Sequence, residues 1–430
     1  MALGIPWPLL SRAPSRTPRP TLPEVTGKAD APLMAVVVAL VAFGVVMVYS
    51  ASFVYARNVF HEPAHFLIRQ TAFATLGIAL MVGLARVDYH RYRPLTYPLL
   101  GVAALLLMVV VLGLGHEAGG ASRWISVGPV HIQPAELAKL AIIFWMAYSL
   151  SKKQDRIRSF SVGFLPHVLM AGFLMLLCLK QPDFGSAVMI GLLTFVLLFT
   201  AGARLGYILI AIFLATPVAW AVVALSPYRM RRIQAFLEPF EHRYDIGYQI
   251  AESLMTFGAG GVTGVGLGDS RQKLQFLPEA HTDFISAIIG EELGFIGVTC
   301  VVLAFAFVVW RGLRAAFRSV DDYGTYLAVG ISVFVGAQAF TNLAVAMGML
   351  PTKGLVLPFI SYGGSSLLVN CAALGVLLNV SRPRLPLPQD EAEADHESGR
   401  AKTGSVESGA GQKLRARANR RRSASPGGAG

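Results

Sequence analysis

The chain has 430 residues, of which 54% are hydrophobic and only 14% are charged. Ordinary soluble proteins carry about 25% charged residues, so this composition excludes a soluble globular protein. The two ends of the chain carry half of the formal net charge of +12, and this charge gives no support for binding to nucleic acid.

Apolar segments recur along most of the chain, and their lengths approach or exceed the roughly 20 residues that a helix needs to cross a bilayer. The sequence therefore predicts an all-α integral membrane protein, a bundle of about ten transmembrane helices. The predicted spans are 33–56, 66–85, 95–115, 135–151, 163–179, 186–203, 205–225, 284–310, 325–349 and 362–380.

Three parts of the chain differ in composition. Residues 1–32 are rich in proline and arginine and lack the apolar core of a signal peptide, so we expect a disordered cytoplasmic tail. Residues 33–381 form the membrane domain, and residues 382–430 are expected to be a second disordered cytoplasmic tail. Most of the 37 lysines and arginines then fall on the side of the two termini, as expected for a cytoplasmic side.

Glu136 and Lys139 stand three residues apart at the start of the fourth predicted span. This spacing places both side chains on one helical face, where they can form an ion pair. Two roles remain open, a structural pair that positions helices and a direct role in substrate binding. Losing one member of a buried pair costs about 3–5 kcal/mol, so both roles predict defective mutants.

A long external loop, residues 226–282, separates the seventh and eighth predicted spans. Its first part, residues 227–233, is basic and amphipathic, which is typical of a helix at the membrane surface. Residues 258–268 are rich in glycine, which permits tight turns and lets a backbone approach a ligand closely. A loop of this length usually has a function.

Residues 277–284 carry a titratable cluster at the mouth of the eighth predicted span. Carboxylates near a membrane core are costly, so they indicate a pathway or a reaction. We expect Asp283 in the first helical turn, with Thr282 as the N-cap. At 100° per residue, Glu291 can share a face with Asp283, whereas Glu292 points toward another helix.

Two further irregular loops, residues 121–136 and 351–366, fall on the same predicted side as Asp283, which indicates a single external site. Lys353 and Arg123 are the cations in these loops that we expect to pair with a phosphate. The alternative for each is a side chain that faces solvent or lipid headgroups.

Several long motifs resemble the SEDS family (shape, elongation, division and sporulation), and most closely its cell-division member. The resemblance covers roughly residues 33–381. The motifs are SRWI at 122–125, QPAE at 133–136, QPDFG at 181–185, GYQ at 247–249, LPEAHTDFI at 277–285, GEELG at 290–294, PTKGL at 351–355 and LPFISYGGSS at 357–366.

The resemblance implies a peptidoglycan glycosyltransferase that polymerises lipid II at the outer face of the inner membrane during septal cell-wall synthesis. Asp283 would be the catalytic carboxylate of an inverting transfer, and Glu136 and Lys139 would form an intramembrane pair. The residues expected to bind substrate are Arg123, Glu279, His281, Lys353 and Ser365.

Partners expected from the resemblance are a class B penicillin-binding protein (the septal transpeptidase), other divisome membrane proteins and membrane lipid. A divalent cation, Mg²⁺ or Mn²⁺, could be held by Asp283, water and substrate phosphates, without an organic cofactor. The alternative functions are a lipid II flippase, since broken helices and buried charges also occur in transporters, and a scaffold for the transpeptidase.

Overall fold

A computed structural model describes residue 25 and residues 27–118, 121–128, 130–270, 277–352 and 354–384. Residues 27–383 form one compact unit. The chain ends, residues 1–26 and 384–430, form a second unit, of which only an isolated bridge between Val25 and Arg384 is described. The predicted disordered tails therefore lie almost entirely outside the described residues.

Twelve α-helices make up the described part of the compact unit. They are α1 (Ala31–Phe60), α2 (His65–Arg86), α3 (Thr96–Val109), α4 (Pro134–Lys152), α5 (Leu165–Lys180), α6 (Phe184–Thr200), α7 (Leu205–Ala224), α8 (Pro227–Leu237), α9 (Tyr248–Gly260), α10 (Ile285–Phe317), α11 (Asp322–Ala346) and α12 (Gly364–Val380). Short 3₁₀ or π turns flank α3, α4 and α5.

The prediction of an all-α membrane protein is confirmed. Seven helical stretches of the described residues are long and apolar enough to cross a membrane, and α6 and α12 are shorter apolar helices. The predicted total of about ten spans stays a prediction. Each predicted span nevertheless coincides with a helix, because a backbone in lipid must satisfy its own hydrogen bonds.

A small antiparallel sheet between α3 and α4 was not predicted. It consists of β1 (His116–Ala118), β2 (Ala121–Val127) and β3 (Val130–Ile132), in that order. The strands are short, and apolar and polar residues do not alternate clearly along them, so the sequence predicts a loop here. The sheet leads directly into α4 and presents Arg123 and Trp124 near the start of that helix.

Burial separates inner from outer helices. Nearly every residue of α4 is buried, and so are most residues of α11, although both helices carry polar side chains. In α7, by contrast, Ile208 is the single buried residue. Helices α4 and α11 therefore form the interior of the bundle, and α7 lies at its periphery.

The glycine-rich loop after α9 packs against a break in α10, which we call the glycine seam (residues 261–266 with 291–296). Helix α10 is interrupted at Gly294, which has φ +64°. There, the N–H groups of Phe295 and Ile296 donate to Gly261 and Val262, at 2.9 and 3.2 Å. In return, the carbonyls of residues 291 and 292 accept from the N–H groups of residues 265 and 266, at 2.9 and 3.1 Å.

The glycines of the seam are required for contact between backbones. A Cβ on Gly264 would lie 2.2 Å from the carbonyl oxygen of Glu292, and a Cβ on Gly294 would lie 2.4 Å from the backbone nitrogen of Gly264. The expectation that these glycines allow close approach to a ligand is therefore wrong for Gly264. The backbone that lies close to Gly264 is that of helix α10. The missing Cβ of glycine makes room for a helix as well as for a ligand, so the sequence alone does not distinguish the two.

Candidate functional site

A cavity of about 470 Å³ opens at the end of the bundle where α10 and α12 begin. Its lining comes from α2, α8, the sheet, residues 277–284 (the Asp283 loop), and residues 351–352 and 354–363 (the facing segment). The charged side chains in the lining are Arg69, Arg123, Arg232, Glu279 and Asp283. A cavity that mixes charged and aromatic side chains in this way is suited to a polar ligand.

The Asp283 loop is irregular, and α10 begins only at Ile285. Glu279 has φ +55°. The Thr282 hydroxyl donates to Glu279 Oε2 at 2.7 Å, and the Thr282 N–H donates to the Glu279 carbonyl at 3.1 Å. The prediction that Thr282 caps the helix is therefore wrong, because its hydroxyl closes the turn at Glu279 instead. Asp283 precedes the helix, where its carboxylate can face the cavity.

Three consecutive carbonyls tie the Asp283 loop to its neighbours. The His281 carbonyl accepts from the Tyr362 N–H at 3.0 Å, and the Thr282 carbonyl accepts from the Ser361 hydroxyl at 2.7 Å. The Asp283 carbonyl accepts from the Asn342 side chain of α11 at 2.8 Å. The loop is thus fixed in place by its backbone, and the Asp283 carboxylate is left out of this network.

The Asp283 carboxylate lies against Gly354 in the facing segment. A Cβ built on Gly354 would be 3.3 Å from Asp283 Oδ2 and 3.7 Å from Arg123 Nη1, so this glycine borders both groups. Burial, assisted by the negative charge of Glu279, raises the pKa of Asp283 to about 7, and the positive charges of Arg232 and Arg123 oppose this rise. The cavity therefore holds a carboxyl group whose pKa is raised well above its ordinary value.

Arg123 is held in the cavity wall by backbone carbonyls. Its Nη2 donates to Pro182 at 2.7 Å and its Nε to Gln181 at 3.3 Å. Both carbonyls belong to the turn before α6, whose first residues are capped by Asp183 through the Ser186 N–H at 3.0 Å. These contacts leave Nη1 of Arg123 on the side of Gly354, and the pairing of Arg123 with a phosphate stays a prediction.

Arg232 is a second cavity cation, and the sequence did not single it out. Its Nη1 donates to the Thr352 carbonyl at 2.9 Å, and its guanidinium lies 4.7 Å from the centre of the Tyr228 ring. In sequence, Arg232 is one of several arginines in a basic amphipathic stretch, which indicates contact with lipid headgroups. The fold instead brings α8 over the facing segment, and this turns one of these arginines inward.

The remaining residues predicted to bind substrate lie in different places. Glu279 lines the cavity, whereas His281 lies behind it, with its ring 4.7 Å from Phe66 and 5.7 Å from Tyr55, and burial lowers its pKa. Ser365 is buried and accepts a hydrogen bond from the Gln133 N–H at 3.3 Å, outside the cavity lining. Lys353 lies outside the described residues.

Glu136 and Lys139 form the expected ion pair in the interior of the bundle. Lys139 Nζ lies 2.7 Å from Glu136 Oε1, and both side chains are buried. Gln338 of α11 donates to Glu136 Oε2 at 3.1 Å, and the ammonium group lies 5.5 Å from the centre of the Phe334 ring. The pair thus joins α4 to α11, and neither residue lines the cavity.

Glu291 and Glu292 lie away from the cavity. Glu292 Oε1 accepts from the Ser50 hydroxyl of α1 at 2.6 Å, so the prediction that Glu292 faces another helix is confirmed. Glu291 accepts from the Ser270 hydroxyl instead of sharing a face with Asp283. The prediction for Glu291 is wrong because Asp283 is not part of the helix, and a helical rotation counted from it does not apply.

The divalent cation expected at Asp283 stays a prediction, with which the cavity residues are compatible. Among the described residues, no group of three or more His, Cys, Asp or Glu side chains could enclose a metal. However, Asp283 and Glu279 both line the cavity, and within the described residues no hydrogen bond reaches the Asp283 carboxylate. Mg²⁺ is commonly held by one or two carboxylates together with water and phosphates, so these residues fit that ion.

The fold and this cavity define a multi-pass membrane protein with a charged site at one end of its helix bundle. The family of cell cycle proteins that comprises FtsW, RodA and SpoVE matches residues 31–385. The chain belongs to this family, and the resemblance to the SEDS proteins is confirmed.

Two relatives show how far the similarity extends. The chain is 49% identical over 353 residues to the probable peptidoglycan glycosyltransferase FtsW of Geobacter sulfurreducens, which covers 82% of this chain and 95% of that protein. It is 42% identical over 357 residues to the stage V sporulation protein E of Bacillus subtilis, which covers 82% of this chain and 97% of that protein.

Solved structures agree with the fold. A chain from a peptidoglycan synthase complex, described as coordinating polymerization and crosslinking, matches with a TM-score of 0.68 and 31% identity, over 82% of this chain and 97% of that one. The rod shape determining protein RodA of Thermus thermophilus matches with a TM-score of 0.61 and 29% identity, over 82% of this chain and 96% of that one.

Proposed function

We propose that this protein polymerises lipid II into glycan strands by an inverting glycosyl transfer at the outer face of the inner membrane, with Asp283 as the catalytic base. The chain is a peptidoglycan glycosyltransferase by its family and by the names of relatives at 49% identity. The observation that supports the role of Asp283 is its carboxylate, which lines a cavity beside two arginines and whose pKa is raised by burial to about 7.

In the proposed reaction, the 4-hydroxyl of the acceptor sugar attacks the anomeric carbon of the donor. The hydroxyl proton passes to Asp283 as the new C–O bond forms. The bond between the anomeric carbon and the phosphate oxygen breaks, and polyprenyl pyrophosphate leaves with the electron pair. A base with a pKa near the working pH is effective, and such general-base catalysis typically contributes about 10²–10⁴-fold.

Arg123 and Arg232 would bind the pyrophosphate. Their guanidinium groups are fixed by carbonyls of two different segments, so both are oriented before the substrate arrives. Preorganised cations stabilise the charge that develops on a leaving group, and arginine is suited to bidentate contact with phosphate. We propose Lys353 as a third cation, and Glu279 as a group that contacts the sugar or a bound ion.

In an alternative role, Asp283 would hold a divalent cation instead of acting as the base itself, with Glu279 as a second carboxylate beside the substrate phosphates. When bound, the cation would neutralise part of the pyrophosphate charge. Without the cation, Asp283 itself accepts the acceptor proton, and in both cases Arg123 and Arg232 orient the phosphate.

A partner enzyme follows from the similarity to a chain of a peptidoglycan synthase complex. We propose that the partner is a class B penicillin-binding protein that crosslinks the new strand at the division septum, together with other divisome membrane proteins. Both termini would lie in the cytoplasm.

The test is polymerisation of labelled lipid II by the purified protein with its partner and a divalent cation. Asp283→Asn should lose at least about 10²-fold in rate, whereas Asp322→Asn, a change at an exposed carboxylate, should leave the rate unchanged. Polymer formed equally by wild type and Asp283→Asn would refute the catalytic role. A wild type that forms no polymer but moves lipid II across vesicle membranes would instead be a flippase.

A further inference from the structure

The side chain of Asn342 links the two segments that build the cavity. Its Nδ2 donates to the Asp283 carbonyl at 2.8 Å and to the Leu355 carbonyl at 2.7 Å, and its Oδ1 accepts from the Ser286 hydroxyl at 3.1 Å. An asparagine side chain has two N–H donors and one carbonyl acceptor, and here all three are used. The two carbonyls both require a donor, which fixes the orientation of the amide.

We propose that Asn342 is a positioning residue for glycosyl transfer, which sets the distance between the Asp283 loop and the facing segment and so holds the Asp283 carboxylate beside Gly354 and Arg123. This inference rests on the proposed role of Asp283. Asn342 does not line the cavity and is 2% exposed, so it acts through Asp283 and does not touch the substrate.

The Asp283 carbonyl depends on this contact. The first N–H groups of α10 turn to other carbonyls, as Ala287 donates to Phe284. Without Asn342, the Leu355 carbonyl would lose a buried hydrogen bond and the Asp283 carbonyl a partly buried one, and unsatisfied buried groups are costly. The carboxylate and the carbonyl of Asp283 are only a few bonds apart, so a shift of one moves the other. A misplacement of about 1 Å can lower a rate about 10²-fold.

Asn342 is itself held on a rigid support. Gln338 lies one helical turn before it on the same face of α11 and donates to Glu136 Oε2 at 3.1 Å. Glu136 in turn pairs with Lys139 at 2.7 Å. The hydrogen bond from Gln338 to Glu136, whose carboxylate is held by Lys139, therefore joins α11 to α4, and Asn342 transmits this fixed position to the Asp283 loop.

Ser361 makes a parallel link between the Asp283 loop and the facing segment. Its hydroxyl donates to the Thr282 carbonyl at 2.7 Å and accepts from the Leu357 N–H at 2.8 Å. This link joins the same two segments one residue earlier in the loop. Asn342 is the stronger candidate because it binds Asp283 itself and because it anchors both segments to a third element.

The experiment compares Asn342→Ala with Asn379→Ala in the full protein with its partner. Asn379 is an equally buried asparagine near the far end of α12, where it donates to the Ala85 carbonyl at 3.0 Å and accepts from the Tyr89 N–H at 3.0 Å. We expect similar losses of thermal stability for the two variants. Asn342→Ala should lower kcat for labelled lipid II by about 10–100-fold with KM changed less than about threefold, whereas Asn379→Ala should retain kcat.

A second pair of substitutions, each of which removes one hydroxyl group, covers the case in which Asn342→Ala does not fold. Ser286→Ala removes the hydroxyl that donates to Asn342 Oδ1, and Ser332→Ala removes a buried hydroxyl that donates at 2.6 Å to the Ala328 carbonyl within α11. Ser286→Ala should lower kcat about threefold to tenfold, and Ser332→Ala should not.

Equal effects on kcat within both pairs would overturn the inference and leave Asn342 a purely structural residue. The result for Asp283→Asn keeps the two proposals apart. If that variant is inactive while the asparagine pair behaves alike, only the positioning role fails. If it polymerises normally, the proposed function fails first.

Discussion

Two aspartates at opposite ends of the bundle show how the same side chain is put to different uses. Asp321 precedes α11, caps it through the Gly324 N–H at 3.0 Å, and accepts from the Tyr89 hydroxyl at 2.5 Å. His90 and Arg93 add contacts at 3.0 and 2.7 Å. Asp283 precedes α10 in a similar position, yet no hydrogen bond from the described residues reaches its carboxylate.

The pKa values of the two groups differ accordingly. Burial acts to raise both, but at Asp321 the hydrogen bonds from His90, Tyr89 and the Gly324 N–H overcome it and lower the pKa to about 2. At Asp283 burial prevails, and the pKa rises to about 7. Burial alone therefore does not mark a reactive carboxylate. What distinguishes Asp283 is burial without donors.

The largest effect is expected from Asp283→Asn. The rate of polymerisation should fall at least about 10²-fold, while thermal stability in detergent at about pH 8 should rise, because a carboxylate with a raised pKa is destabilising when ionised. Assays of rate and of melting temperature on the same preparation test both parts. A variant that is inactive because it has become less stable would break the comparison with Asp321.

The rate should also fall with pH on the acidic side. Asp283 acts as a base when ionised, so kcat should decrease about tenfold for each pH unit below its pKa of about 7. Initial rates from about pH 5 to about pH 8 give the position of this limb. A limb near the ordinary carboxyl value of about 4 would show that the environment of Asp283 does not perturb it.

A smaller loss is expected from Gly354→Ala. The new methyl group would lie 3.3 Å from Asp283 Oδ2, and the carboxylate would have to move by a few tenths of an ångström. We expect kcat to fall about threefold to tenfold. Gly101→Ala is the matched control, because a Cβ there meets nothing within 4 Å. An unchanged rate in both variants would mean that the carboxylate works from another position.

The smallest effect on activity is expected from Asp321→Asn. Loss of charge-assisted hydrogen bonds should lower stability by about 2 kcal/mol, with the rate per folded molecule unchanged. The sign of the pH dependence is opposite to that of Asp283. A carboxyl group with a depressed pKa stabilises the fold above its ordinary pKa, and this contribution is lost as the pH falls from about 4 to about 2. A large drop in kcat would assign Asp321 a role beyond structure.

The sequence predicts the helices well because hydropathy reports directly on the solvent that surrounds them. It also identifies Asp283, since a carboxylate at a helix mouth in an apolar chain is costly. The Glu136–Lys139 pair follows from helical spacing alone, and the structure contains it.

What the sequence does not predict depends on contacts between distant segments. From the sequence, Arg232 is expected to contact lipid headgroups. Its hydrogen bond to the Thr352 carbonyl depends on where the fold places α8. The phase of Glu291 is misjudged because α10 begins two residues after Asp283. Asn342 gives no signal in an apolar helix, since its partners lie in two loops whose paths are set by the whole bundle.

The glycine seam has a consequence for the order in which the protein is assembled. Residues 261–266 are synthesised before α10, but two of their N–H groups and two of their carbonyls find partners only on the broken turn around Gly294. A backbone segment cannot remain unpaired in lipid. These four backbone groups are therefore satisfied only once the broken turn of α10 has formed. The Asp283 loop lies between the two halves of the seam in sequence, so closure of the seam brings together the two ends of the segment that carries it.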